Sequence, residues 1–198
     1  MPLGRYAVLG DDREPVGSET FRCAPGPMGW RYVSEIETVD PTPHRETVDV
    51  AVDDQQRIAR VHIDTGDHRI HLAPQKDVLA GTRDGAPIEA PWGPQMHLDY
   101  FTPVTNAITS RRLPDAREIE VVNLQPVTLE PGIVRQRYEP LGSEDVDTPV
   151  GRFRANRWRF TWDDYHADIW VAGDVVVAYE GLFDLIHYEP GTTGAVPT

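Results

Sequence analysis

Apolar and polar residues alternate with a period of two over residues 30–39, 47–52, 58–63, 70–72, 119–124 and 133–138, the signature of half-buried strands. The alternation returns more strongly over 152–162, 165–171 and 175–188. Between these runs the 18 prolines and 16 glycines are spread along the chain and cut it into short segments, and long stretches of helical period are absent. About nine or more strands predict a mainly β protein, a barrel or a sandwich. One short helix is expected from Thr102-Pro103, where a hydroxyl can cap and proline suits the first helical position, through Val104, Ala107 and Ile108 to Arg111-Arg112. At under three turns it cannot stand alone, so it must dock on the sheet as a lid or plug. Residues 1–27, 41–43, 141–148 and 190–198 read as loop or tail, and the whole of 1–198 as a single barrel-like domain.

Two strand registers can be written down in advance. A type II′ turn at Gly66-Asp67 would set Asp64 opposite Arg69 and His62 opposite His71 on one face, with Ile63 opposite Ile70 and Val61 opposite Leu72 on the other. The two histidines could form one edge of a metal site, but no third ligand is evident, and a solvated polar face is the simpler reading. The second register is a meander turning at Asp163-Asp164 and Gly173-Asp174. One face would carry Trp158, Phe160, Trp162, Tyr165, Ala167, Ile169, Val171, Val176 and Ala178 and end in Glu180. The other would carry Arg157, Arg159, His166, Asp168, Trp170, Val177 and Tyr179, with Arg159, Asp168 and Tyr179 in line across three strands. Glu180 would then be a lone carboxylate on an aromatic face, where desolvation raises a pKa toward the range a general acid or base needs. Alternatively, Glu180-Gly181 forms a bulge or turn that rotates the side chain to the rim.

Composition narrows the chemistry. In 198 residues, 19 Lys plus Arg against 32 Asp plus Glu give a formal net charge of -13, which disfavours nucleic acid and anionic lipid as partners. Lys76 is the only lysine, so nearly every cation is a guanidinium suited to carboxylates. The single cysteine, Cys23, excludes an intrachain disulfide and reads as a small buried hydrophobe. No apolar run approaches the roughly 20 residues of a spanning helix, and residues 6–9 are too short for a secretory core, so we expect a cytoplasmic, full-length protein without membrane insertion. Phosphate-cradling glycine loops, GxSxG and HExxH are missing, so no cofactor is expected. His97 and Asp99 alternate and could share a face.

The run from Tyr100 to Leu113, YFTPVTNAITSRRL, resembles a segment of a bacterial protein family described as glycolipid-binding, in which a TPxTN word leads to RRL. Arg135-Gln136-Arg137-Tyr138 resembles that family's Q-x-Y strand, and residues 175–183, VVVAYEGLF, resemble its closing strand. Thr109-Ser110 stands where the family usually has proline before the arginines, and Glu180 stands where it tends to have proline. The resemblance implies a strongly curved antiparallel sheet forming an open or incompletely closed β-barrel like that of lipoprotein carriers. It also implies importance for Thr102, Thr105, Asn106, Arg111, Arg112, Gln136 and Tyr138.

Three functions are compatible with these observations. The first is a barrel that encloses a hydrophobic or amphipathic small molecule, with Trp158, Phe160 and Trp162 supplying apolar surface and Arg111 or Arg112 meeting a polar head. The second is a cofactor-independent cyclase or isomerase of the same build, with Glu180 or Tyr179 as its acid. The third is an interaction module whose aromatic face is solid core. Edge strands at an open seam would offer a homodimer contact.

Overall fold

The computed structural model describes residues 1–26, 29–39 and 42–191. Its N-terminal half is a run of eight strands, β1 (Leu3–Leu9), β2 (Pro15–Gly26), β3 (Gly29–Thr38), β4 (His44–Asp53), β5 (Ile58–Asp64), β6 (Arg69–Gln75), β7 (Val78–Arg83) and β8 (Ala86–Pro91). The C-terminal half comprises β9 (His97–Asp99), helix α1 (Pro103–Arg112), β10 (Arg117–Leu124), β11 (Pro131–Thr148), β12 (Gly151–Trp162), β13 (Tyr165–Ala172), β14 (Val175–Tyr179) and β15 (Phe183–Glu189). All fifteen strands belong to one sheet ordered β8-β7-β6-β5-β4-β3-β2-β1-β15-β14-β13-β12-β11-β10-β9. The first strand pairs with the last in the middle of the sheet, and the consecutive strands β8 and β9 form its unpaired edges. The barrel-like sheet is thus open at one seam. Every pairing is antiparallel except that of β9 with β10, which α1 connects as a crossover.

The hairpin β5–β6 has the predicted register, with Asp64 against Arg69, His62 against His71, Ile63 against Ile70 and Val61 against Leu72. Gly66 supplies the positive φ of 84° that the turn requires. The two imidazoles stack at 3.9 Å, and no cluster of three or more metal-binding side chains exists among the described residues.

Three segments differ from expectation. Residues 1–26 are not loop but β1 and β2. β1 buries Tyr6, Ala7, Val8 and Leu9 in succession, which hides any alternation, and the buried positions of β2 begin with a charge, Glu19, before Phe21 and Cys23. Residues 141–148 continue β11, where Gly142 to Thr148 pair only with β12 and stay largely exposed, so no apolar period marks them. β7 and β8 were concealed by their Gly, Ala and Pro content. They are joined at Asp84-Gly85, both at positive φ, and a Cβ at Gly81 would lie 1.8 Å from the His71 carbonyl oxygen. The connection expected at 41–43 lies partly, and the tail of 190–198 mostly, outside the described residues.

Helix α1 has the predicted bounds, and the Thr102 hydroxyl accepts from the Val104 N–H. It is a plug more than a lid: residues Pro103 through Ser110 are all buried, so no face of the first two turns meets water. Its polar side chains therefore need internal partners, and each has one. Thr105 donates to Asp99 at 2.9 Å, Asn106 to the Tyr138 hydroxyl at 2.9 Å and Ser110 to the Ala107 carbonyl, while Thr109 meets His97 Nδ1 at 3.3 Å. Among the described residues no helix is long and apolar enough to cross a membrane.

Candidate functional site

The pairing of β12 with β13 follows the expected meander, with Trp158 against Ile169, Arg159 against Asp168 and Phe160 against Ala167. A bulge then intervenes between β13 and β14: Trp170 faces Ala178, but Val171 faces Val176, leaving Val177 unpaired. One extra residue inverts the faces of everything beyond it. Tyr179 is consequently buried opposite Ile169, and Glu180 is turned outward and exposed. This corrects the expected face of Tyr179, and of the two alternatives for Glu180 it is the outward one that holds. The Glu180 carboxylate accepts from the Asp168 N–H at 3.1 Å and takes the place in the polar line that Tyr179 was expected to hold. In that line Asp168 is gripped by Arg159 at 2.8 Å and by Arg157 Nε at 2.9 Å, with Arg159 the foremost cause of a carboxyl held below its ordinary pKa.

The inward face leaves a cavity of about 300 Å³ beside the N-terminal half of α1. Phe160, Trp162, Tyr165, Tyr179, Leu182 and Phe183 form its apolar walls, and Asp99, Asn106 and Asn123 form its polar end. Asp99 is the only carboxylate among the lining residues. Its Oδ1 accepts from the Tyr100 N–H and the Thr105 hydroxyl, both at 2.9 Å, and its Oδ2 accepts from Gln136 Nε2 at 2.6 Å. Burial raises the Asp99 pKa, while Gln136, Thr105 and the Tyr100 N–H oppose the rise. All three donors are neutral, so the carboxyl is oriented without being neutralised. Burial also lifts the Tyr179 phenol well above its ordinary pKa, which leaves its hydroxyl a hydrogen-bonding group and not a base.

The structure therefore divides the residues singled out from sequence. Asn106, Phe160, Trp162 and Tyr179 line the cavity together. Thr105, Gln136 and Tyr138 lie one layer behind it, the first two fixing Asp99 and the third fixing Asn106. Trp158 and Arg111 border a separate, polar groove at the other end of α1. Arg111 is engaged there by the Tyr32 hydroxyl at 2.9 Å, by an ion pair with Asp174 and by the face of Trp30. Arg112 donates to the carbonyls of Met96 and Pro94, tying the β8–β9 connection to the helix, and Glu180 lies outside the cavity.

Sequence reading undervalued Asp99. Alternation with His97 was its one visible signal, and both side chains do reach α1 one turn apart, at Thr105 and Thr109. They bond to different residues of the helix, and burial lowers the His97 pKa to about 3, with Arg112 and Arg117 adding to the effect.

No protein-family model matches the sequence, and no curated protein matches it. Among solved structures, a DUF1089-family protein from Pseudomonas aeruginosa is similar with a TM-score of 0.58 at 17% identity, over 84% of this chain and 91% of that one. A β-barrel-like protein of the domain of unknown function DUF1849 from Brucella abortus is similar with a TM-score of 0.55 at 6% identity, over 95% of each chain. At such identities the likeness is one of fold: this chain shares a β-barrel-like architecture with bacterial proteins.

Proposed function

We propose that this protein holds one small amphipathic molecule in the cavity beside α1, its apolar body against Phe160, Trp162 and Tyr179 and its polar head at Asp99. The observation that carries this reading is a single oriented carboxyl, Asp99, among the lining residues of an otherwise largely aromatic hollow. Apolar walls with a few fixed polar groups are the usual build of a small-molecule site, and about 300 Å³ lies at the lower end of their sizes. A hydroxyl head suits Asp99, because it can donate to the carboxylate or accept from the acid. A glycolipid-like ligand, which the sequence resemblance suggests, fits through the hydroxyls of its sugar.

Titration calorimetry of the full chain with a medium-length primary alcohol tests the reading. One-to-one binding is expected, weakened at least tenfold by Trp162→Ala and unchanged by Trp170→Ala, whose ring lies on Arg157 outside the cavity. Absence of binding to the wild-type chain would refute it.

A second reading, cyclisation or isomerisation of a hydrophobic intermediate, is favoured by the same carboxyl, since a buried acid of raised pKa beside an apolar hollow is what proton transfer needs. Asp99 takes the part that Glu180 cannot, with Tyr179 as a donor across the cavity. Under this reading Asp99→Asn abolishes turnover while leaving substrate bound; under the first it alters affinity alone.

A further inference from the structure

A second apolar hollow, also of about 300 Å³, adjoins the first. Val8, Leu9, Val16 and Ile36 of the N-terminal half line it, and it shares two residues with the first cavity, Phe101 and Pro126. Its polar residues are already partnered: Thr38 with His44 at 2.7 Å, and Glu46 with His44 at 2.9 Å and with the Tyr100 hydroxyl. Aliphatic side chains are what it offers.

The partition between the hollows is unusual in two respects. Phe101 is a large apolar residue left 39% exposed, its ring 5.3 Å from that of Phe183 in the first cavity. Pro126 begins a γ-turn, in which the Thr128 N–H donates to the Pro126 carbonyl at 2.7 Å around Val127 at a φ of 65°. The positive-φ form is the rare and strained hand of that turn, and a β-branched residue adds to the strain. Two side chains from the other half of the sheet hold it, the Thr65 hydroxyl donating to the Val127 carbonyl at 3.0 Å and Arg83 Nε to the Thr128 carbonyl at 2.8 Å. Joining β10 to β11 does not require such a turn, and retained strain of this kind is a pointer to function.

We infer that the Phe101 ring, beside the fixed Val127 turn, is a rotatable partition within one elongated site, which takes a single unbranched alkyl chain with its head at Asp99 and its tail between Val16 and Ile36. This rests on the binding reading above and adds the shape of the ligand. Each hollow alone is small for a ligand site, whereas the two together lie well within the ordinary range. An extended chain is narrow enough to pass a single rotated phenyl ring; a fused polycycle is not.

The test is a series of straight-chain primary alcohols from hexanol to hexadecanol, titrated against the full chain. Affinity should rise about fourfold per methylene along the whole series, the gain expected for burying each CH₂. Val16→Trp, at a partly exposed position, should flatten the rise for the longer members and leave the shorter ones unchanged. Phe101→Ala should tighten the longer members selectively, and it decides the matter if Val16→Trp does not fold. An affinity that levels off at the same chain length in wild type and Val16→Trp, or a Phe101→Ala effect equal at all lengths, overturns the partition while leaving the first cavity intact. Failure of every alcohol to bind overturns the binding reading itself.

Discussion

The wall made by β4 to β7 and the wall made by β10 to β14 belong to one sheet, yet they solve burial differently. On the first, Val48, Val50, Val61, Ile63, Ile70 and Leu79 are almost wholly excluded from water, and aliphatic side chains fill the space they enclose. On the second, aromatic rings are interleaved with Asn123, Gln136 and Tyr138, each bonded or set facing a hollow. Branched aliphatics mesh closely, whereas flat rings that must also satisfy polar groups leave gaps. The hollow beside α1 accordingly opens on the second wall.

The sharpest way to break this contrast is to truncate one residue on each side. Ile63→Ala should cost about 2–5 kcal/mol in urea unfolding, because the aliphatic wall cannot close over the void. Trp162→Ala, beside a space already open, should cost well under half of that while abolishing most ligand binding. Equal losses of stability would erase the distinction.

The junction between the walls carries a titrating group. Glu19 is fully buried, accepts from the Thr102 hydroxyl with one oxygen and has no partner for the other, and burial raises its pKa from 4.5 to about 7. Between those values the folded chain keeps a proton that the unfolded chain has released, so stability falls as pH rises through this window. The penalty is complete above about pH 7 and is of order 3 kcal/mol. Glu19→Gln should remove it, leaving a variant more stable than wild type at pH 8 and nearly indistinguishable from it near pH 4. A wild-type stability that is flat between pH 4.5 and 7 relative to this variant would contradict the assignment.

A smaller effect is expected behind the cavity. Gln136→Leu removes the donor to Asp99 Oδ2 and should cost about 1–3 kcal/mol, read by urea unfolding. Smallest of all, Val127→Gly should stabilise the chain by about 1 kcal/mol by releasing a β-branched residue from positive φ, as measured by thermal unfolding.

How far sequence could anticipate these features depended on the same contrast. Where one face is apolar and the other solvated, as in β5–β6, pairing followed residue by residue from the turn outward. The helix was legible from Thr102-Pro103 because its cap is local chemistry. Tyr179 was placed on the wrong face, and Glu180 was left between two, because the unpaired Val177 lies in a uniform valine run, where nothing local marks an extra residue. Asp99 could not be ranked above other acids, since its importance comes from Thr105 and Gln136, brought to it by the crossover and by the pairing of β10 with β11. β1 and β2 were missed because four successive buried residues, Tyr6 to Leu9, and a buried glutamate both break the alternation.

Binding of a molecule at Asp99, in the hollow beside α1, is tested most directly by a crystal structure of the full chain grown with a medium-length primary alcohol. The hydroxyl is expected within hydrogen-bonding distance of Asp99 and the alkyl chain against Phe160 and Trp162. Rings of Phe160, Trp162 and Tyr179 closed upon one another, with the alcohol absent or bound elsewhere, would contradict it.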